Sequence, residues 1–312
     1  MLLQTELQEF IPELWRDAPI KQTTLPGLAK DNDALALIRD ALARVPTQHR
    51  ILHGNSQTTA VEPESVHLVV TSPPYWTLKD YPGATGQLGM LADYDSFLGG
   101  LDAVWRNCYH ALVPGGRLVC VVGDVCLSRR RNGRHAVIPL HASIQERCRE
   151  IGFDNLSPIF WHKIANARTE SQASGSYLGK PYEPNGILKN DVEYILMLRK
   201  PGGYRQPSSA ARVLSVISAE NHGRWFRQIW SDIPGASTRN HPAPYPVDLA
   251  ERLIRMFSFA ADTVLDPFMG SGTTTLAAHL CGRNSMGIEI EKSYVRAAEQ
   301  RLLSAGVAVL PR

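Results

Sequence analysis

Apolar residues along the chain switch repeatedly between two spacings. Short β-branched and aliphatic runs read as buried strands, and stretches with apolar positions three and four apart read as amphipathic helices. Residues 1–48 carry mostly helical spacing and end in the polar stretch Pro46-Thr47-Gln48-His49. A short apolar run over residues 50–55 closes on Gly54-Asn55. The run VHLVVT (66–71) stops at Pro73-Pro74, because consecutive prolines lack the N–H groups that a sheet ladder needs. Residues 93–112 predict a helix through Phe97, Leu101, Val104, Tyr109 and Leu112, stopped by Pro114-Gly115-Gly116. RLVCVVG (117–123) predicts a strand, 138–151 a helix, and 159–163 and VEYILMLR (192–199) two further strands. After a Gly-, Ser- and Pro-rich stretch at 201–246 come a helix at 247–259, a strand at 263–266, a helix at 273–280, a strand at 285–290 and a helix at 292–303.

Strands alternating with long helices imply a mostly parallel sheet covered on both faces. Two irregular stretches, 165–190 and 201–246, interrupt this core, and loops of that length usually carry function or are disordered. The second contains Trp225, Phe226 and Trp230 and is expected to be ordered.

Composition narrows the class. Of 312 residues 44% are apolar and 20% charged, which excludes a wholly disordered chain. No apolar run reaches the ~18 residues of a membrane span. The first fifteen residues hold three Glu and neither Lys nor Arg, so they do not read as a signal peptide. Five cysteines without a CxxC pair suggest a reduced, cytosolic (cytoplasmic) protein with neither a disulfide frame nor a structural zinc site. With 33 basic and 30 acidic residues the net charge is only +3, but the basic residues are clustered. Residues 126–149 hold six Arg against one Glu, and residues 199–239 hold seven basic residues against two acids. Such stretches fit either a polyanion-binding face or a solvated surface.

Two constellations carry chemistry. VLDPFMGSGTT (264–274) is a strand, a glycine-containing turn and a helix start. Gly270 and Gly272 let the backbone pass close to a ligand, and the helix start offers free N–H groups to it. About twenty residues on, the strand Met286-Gly287-Ile288-Glu289 ends in a carboxylate suited to ribose hydroxyls. The pattern points to an adenosine-containing cofactor, and Thr275 stands where a third glycine of GxGxxG would be.

The other constellation is Thr71-Ser72-Pro73-Pro74-Tyr75-Trp76, at the end of a strand. Its prolines stiffen the turn and hold the Ser72 hydroxyl and the Pro73 carbonyl as acceptors. Tyr75 or Trp76 supplies a flat face for a base. Rigid acceptors beside an aromatic plane suit an exocyclic amine, whose lone pair is delocalised into its ring until hydrogen bonds favour pyramidalisation.

Together, TSPPYW and DPFMGSGTT resemble the catalytic and cofactor motifs of the S-adenosylmethionine-dependent DNA amino-methyltransferases. Their order along the chain resembles the circularly permuted β group, and Ser72 is similar to the cytosine-N4-specific enzymes of restriction-modification systems. The resemblance runs from about Arg50 to Leu303. It includes HPAPYP (241–246), similar to the segment that precedes the cofactor strand, and VEYIL (192–196), similar to a shared core strand.

The resemblance implies an α/β, class I methyltransferase (Rossmann-like) fold. Its mixed sheet would have helices on both faces, circularly permuted and with an inserted target-recognition region. Residues 1–48 would be a helical extension, 49–200 the catalytic half, 201–240 with loop 165–190 the recognition insert, and 241–312 the cofactor half. The cofactor would be S-adenosyl-L-methionine, held by Asn55, Thr71, His241, Pro246, Asp266, Phe268, Gly270, Gly272, Thr273 and Glu289. At Asn55 the family usually carries Asp.

Ser72, Pro73, Pro74 and Tyr75 would hold a flipped cytosine of double-stranded DNA by its N4 amine, with adenine N6 as the alternative. Methyl transfer to an amine needs no covalent nucleophile and no metal ion. Arg205, Arg212, Arg224 and Arg227 are candidate phosphate or guanine contacts, and Arg129, Arg130, Arg131 and Arg134 candidate backbone clamps. Asp124 suits either the target pocket or a helix cap. A cognate restriction endonuclease is a candidate companion, no membrane is involved, and the enzyme would be a monomer or a homodimer.

Overall fold

The computed structural model describes residues 4–16, 21–76, 86–163, 190–235 and 245–310. In chain order the strands are β1 (His49–His53), β2 (Val66–Thr71), β3 (Leu112–Val122), β4 (Val125–Leu127), β5 (Ala136–Ile138), β6 (Asp154–His162), β7 (Val192–Arg199), β8 (Ile229–Trp230), β9 (Thr263–Asp266), β10 (Asn284–Glu289) and β11 (Val309–Leu310). β4 and β5 form a small hairpin; the others make a nine-stranded sheet in the order β11-β1-β10-β9-β2-β3-β7-β6-β8. Pairing is parallel from β11 to β3, and β7 runs antiparallel to both of its neighbours.

Period-2 alternation divides the core into two layers. Leu118, Cys120 and Val122 of β3, with Leu196 and Leu198 of β7, pack against helices Tyr94–Ala111 and Leu140–Ile151. Val119, Val121, Ile195 and Met197 point the other way, onto helices Val247–Phe257 and Thr273–Leu280. Each such buried aliphatic side chain contributes about 1.5–3 kcal/mol by leaving water. Helix Tyr94–Ala111 starts where Asp93 accepts the Ser96 amide at 2.7 Å, an ordinary N-cap.

Two strands begin earlier than their composition predicts. β3 starts at Leu112, and Pro114-Gly115-Gly116 is absorbed as an irregularity in register rather than ending the pairing. Gly115 takes φ +76° and donates to the Lys200 carbonyl, while Lys200 N–H returns to Gly116. β6 likewise starts at Asp154, with Pro158 inside a register shift where its missing N–H costs no ladder bond.

The N-terminal segment is a packed cap. Leu7, Ile11, Leu28 and Ile38 share a cluster with Ala210, Ala211 and Val213 of helix Ser209–Val213 and with Ala260 and Ala261, just ahead of β9. It therefore sits at the foot of the sheet, where the parallel strands begin. Among the described residues, no helix is long and apolar enough to cross a membrane.

β9 and β2 are neighbours in the middle of the sheet, and the order departs from them in opposite directions, to β10 on one side and β3 on the other. A crevice must open beyond their C-terminal ends, because the connections leaving them diverge.

Candidate active site

That crevice is an open cleft of about 600 Å³, solvent-open volume included. Ser72, Pro73 and Pro74 follow β2, and Pro267, Phe268 and Gly270 follow β9. Ile288 and Glu289 end β10, Asn55 and Ser56 follow β1, and Gly86, Gln87, Leu88, Ile290 and Tyr294 complete the wall. The two motifs, nearly two hundred residues apart in sequence, thus share one cavity.

On the β9–β10 side the glycine turn is organised around two carboxylates. Gly270, at φ +52°, donates its N–H to Glu289 Oε2 at 2.8 Å, and the Glu291 amide donates to Oε1 at 2.8 Å. Each oxygen keeps a further lone pair, so the carboxylate can accept two more donors, as a ribose diol presents. Burial pushes the Glu289 carboxyl up from its ordinary range, and the two backbone N–H donors oppose that shift. Gly272, at φ +77°, heads helix Thr273–Leu280; a Cβ there would lie 3.2 Å from that of Ala298.

Asp266, expected as a cofactor contact, is only 2% exposed and stands behind the cleft wall. Its carboxylate accepts from Thr71 Oγ1 at 2.7 Å, the Phe268 amide at 3.0 Å, Tyr245 Oη at 3.2 Å and Thr274 Oγ1. Thr71 is fully buried in the same network. Thr273 accepts from Arg301 at 3.0 Å, and Pro246 caps helix Val247–Phe257. Asp266, Thr71 and Thr273 brace the loop whose Phe268 and Gly270 face the cleft. His241 lies outside the described residues.

On the β2 side Ser72 and the two prolines face the cleft, but neither aromatic presents the expected flat face. Tyr75 is 7% exposed and belongs to the core, and Ser72 Oγ donates to its hydroxyl at 3.3 Å. Trp76, at φ +45°, donates its indole N–H to the Leu91 carbonyl at 2.8 Å and rests edge-on against Tyr94. Among the described residues, Phe268 and Tyr294 are the aromatic ones on the cleft wall. Asp124 accepts from both the ring and the backbone of His141, at 2.6 and 3.3 Å, and so serves the first turn of helix Leu140–Ile151.

The arginines separate by location. Arg129 and Arg130, in helix Arg129–Asn132, and Arg134 beyond it are exposed between β4 and β5, beside the cleft end of β3. Of the Arg131 side chain nothing is described. Arg205 is turned away from any cleft ligand: it forks onto the fully buried Asp262 at 2.5 and 2.7 Å, at the foot of β9. Arg212 is on the helix that packs with the N-terminal cap and bonds Pro207 and Gln206. Arg224, paired with Asp232 at 3.0 Å, and Arg227 lie by β8, the sheet's edge, with three strands between it and β2. Local charge density fitted either a polyanion-binding face or a solvated surface, and the tertiary structure distributes those residues over three regions. The 165–189 portion of the expected recognition loop lies outside the described residues.

Ser56, Gln87, Leu88, Ile290 and Tyr294 escaped the sequence reading. Tyr294 carried a usable signal, since it lies in the first turns of the helix that follows Glu289.

A switch-point cleft with a carboxylate ending β10, a glycine turn after β9 and a Ser-Pro-Pro turn after β2, on a parallel sheet that continues through the antiparallel β7, defines a class I methyltransferase fold. Its motif order is circularly permuted, because the cofactor half comes last in the chain. The chain belongs to the DNA methylase family, whose profile matches residues 66–300. It is 35% identical over 290 residues to the type II methyltransferase M.MjaI of Methanocaldococcus jannaschii, covering 83% of this chain and 92% of that one. With M.MthZI of Methanothermobacter thermautotrophicus, another type II methyltransferase, it shares 33% identity over 279 residues, covering 82% and 77%. Among solved structures it is similar to the DNA modification methylase TTHA0409 of Thermus thermophilus, complexed with S-adenosyl-L-methionine (TM-score 0.69, 50% identity, 82% of this chain and 93% of that). The fold is also that of the cytosine-N4-specific PvuII DNA methyltransferase, at TM-score 0.61 and 20% identity over 85% of this chain and 90% of that.

Proposed function

We propose that this DNA methyltransferase acts on the exocyclic N4 amine of a cytosine flipped out of double-stranded DNA. S-adenosyl-L-methionine is its cofactor, and when bound it supplies an electrophilic methyl group on a sulfonium leaving group. The residues present fit that molecule. Glu289 offers two carboxylate oxygens for the ribose hydroxyls, Phe268 an apolar face, and Gly270 a backbone without a side chain in the way. Asn55 lines the same cleft, and its Oδ1 is already used by the Gln57 amide at 3.0 Å, so its amide nitrogen is the group free to meet a purine edge as donor.

Across the cleft Ser72 Oγ and the Pro73 carbonyl accept hydrogen bonds from the two N–H groups of the target amine. That favours a pyramidal nitrogen and directs its lone pair. Positioning and polarisation are the protein's whole chemical task here. Cys108 and Cys120 are fully buried with thiols pushed far up, which makes them poor nucleophiles. Extrusion of the base costs a few kcal/mol, offset by contacts to the duplex. Arg129, Arg130 and Arg134 supply backbone contacts at the cleft end of the sheet.

The observation that carries cytosine over adenine is Ser72 itself, a neutral hydroxyl on the cleft wall rather than a carboxylate. The type II names of the relatives support a role in a restriction-modification system, with a cognate endonuclease as companion and a monomeric or homodimeric enzyme. The test is methyl transfer from labelled cofactor to unmethylated DNA, digested to nucleosides and identified by mass spectrometry. N4-methylcytosine, lost in most part on Ser72→Ala, is the expected product. N6-methyladenine would overturn the base assignment and leave fold and cofactor intact.

A further inference from the structure

We infer that Thr71 is a positioning residue that fixes the spacing between the turn holding the target amine and the loop holding the methyl donor. The inference rests on the reading that Ser72 accepts from the amine and that Phe268 and Gly270 meet the cofactor. Direct transfer of a methyl group to nitrogen depends on how closely and how straight the two groups approach. The spacing of these two loops therefore bears on the rate itself, separately from how tightly either ligand binds.

The sheet does not set that spacing. β2 and β9 pair only at Leu68↔Val264 and Val69↔Leu265. Beyond those rows β2 stays with β3 as far as Thr71↔Cys120, and β9 stays with β10 as far as Gly287↔Asp266. The two strands part at the level where the two motifs begin, and side chains close the gap. Thr71 Oγ1 donates to Asp266 Oδ1 at 2.7 Å, and the same oxygen accepts the Phe268 amide at 3.0 Å. One carboxylate oxygen thus joins the residue before Ser72 to the backbone of the cofactor loop. Thr71 is fully buried and Asp266 nearly so, which shields the bond from solvent. On its other oxygen Asp266 accepts from Tyr245 Oη at 3.2 Å, so the carboxylate is held from both ends. Thr274 Oγ1 also spans the gap, between Asp266 Oδ2 and the Val70 carbonyl at 3.4 Å, but it has one proton for both and is the weaker link.

Thr71→Val tests this, because it keeps the β-branched shape in the strand and removes only the donor. The Phe268 amide retains its acceptor in that variant. We expect the single-turnover methylation rate to fall about tenfold, with Kd for S-adenosyl-L-methionine and for DNA within about twofold of wild type. In the cofactor-free protein, amide hydrogen exchange over residues 264–272 should quicken as the loop loses its tie to β2. Thr71→Ser keeps the donor and should restore both readouts. Thr71→Cys, whose thiol is a weak donor, should give an intermediate rate and covers the case in which Thr71→Val folds poorly. A wild-type rate in Thr71→Val or Thr71→Cys would overturn the inference, as would unchanged exchange over 264–272. So would weakened cofactor binding at an unchanged rate, which would make Thr71 a ligand contact, or a Thr71→Ser variant as slow as Thr71→Val. Failure of the underlying reading shows elsewhere, as full activity in Ser72→Ala whatever the Thr71 variants do.

Discussion

Removal of the Asp266 carboxylate separates a structural from a ligand-binding role for the residue at the end of the cofactor strand. In Asp266→Ala four donors lose their acceptor: Thr71 Oγ1, Thr274 Oγ1, Tyr245 Oη and the Phe268 amide. Three are hydroxyls that can turn, and Tyr245 and Thr274 already touch one another. The Phe268 amide cannot turn. One buried, unpaired N–H costs about 1–3 kcal/mol, and the loss of the charged acceptor for the hydroxyls adds about 1–2, so roughly 2–5 kcal/mol of stability should disappear. Asp266→Asn should cost less. Burial pushes the Asp266 carboxyl up against the opposing hydrogen bonds, so a neutral amide escapes the desolvation that the carboxylate bears while keeping one acceptor oxygen. The assay is urea unfolding of the three proteins, paired with calorimetric titration of S-adenosyl-L-methionine into each. Loss of stability in the order Ala, then Asn, with weaker cofactor binding as Phe268 shifts, is expected. An Ala variant of wild-type stability that has lost only cofactor affinity would refute the reasoning, because it would make Asp266 a ligand contact and nothing more.

Three further outcomes follow from particular contacts. His49, buried between Ser285 and Thr47, has its pKa lowered from 6.5 to about 4, chiefly by burial and then by His279. The folded state resists protonation, so stability is full above pH 6.5 and falls by roughly 3 kcal/mol as pH drops towards 4; denaturant series across that window should show it, and His49→Gln should flatten it. Gly272→Ala must hold φ +77° and place a Cβ 3.2 Å from that of Ala298, which should lower stability by about 1–2 kcal/mol in thermal unfolding. Arg205→Ala removes the guanidinium from the buried Asp262 carboxylate, which keeps the Phe259 amide, and should cost roughly 3 kcal/mol without altering DNA affinity, whereas Arg130→Ala with Arg134→Ala should lower the log K–log salt slope by about 2 in a DNA titration.

Elements whose signal is local were legible in the chain. Strands 66–71, 192–199 and 263–266 and helix 273–280 have the bounds their spacing predicted. The glycine turn and Glu289 were legible for the same reason: a strand, a turn and a second strand lie within thirty residues, and their parallel pairing brings Gly270 onto Glu289. The bulges at Gly115 and Pro158 were less so. A proline or glycine signals a break, and whether pairing resumes across it depends on a partner strand far away, here β2 for the first and β7 for the second.

The site divides in the same way. Ser72 and its prolines could be assigned from sequence because two fixed φ angles shape the turn wherever it lies. Which side chains of that turn face outward could not, since Tyr75 packs in the core beside Gly123, just past β3 and far from it in sequence. The arginines show the limit most clearly. Their clustering was visible, yet Arg205 belongs to the foot of the sheet and Arg130 to its cleft end.

By itself, then, the sequence determined the alternation of strand and helix, the identity of the two motifs and the carboxylate that ends β10. Those depend on backbone periodicity and turn chemistry, which act over a few residues. Only the tertiary structure decided that the motifs face one another, that Asp266 braces the loop from behind, and that Tyr75 is turned from the cleft. Those depend on which strands become neighbours, and strand order is set by burying both faces of the whole sheet at once.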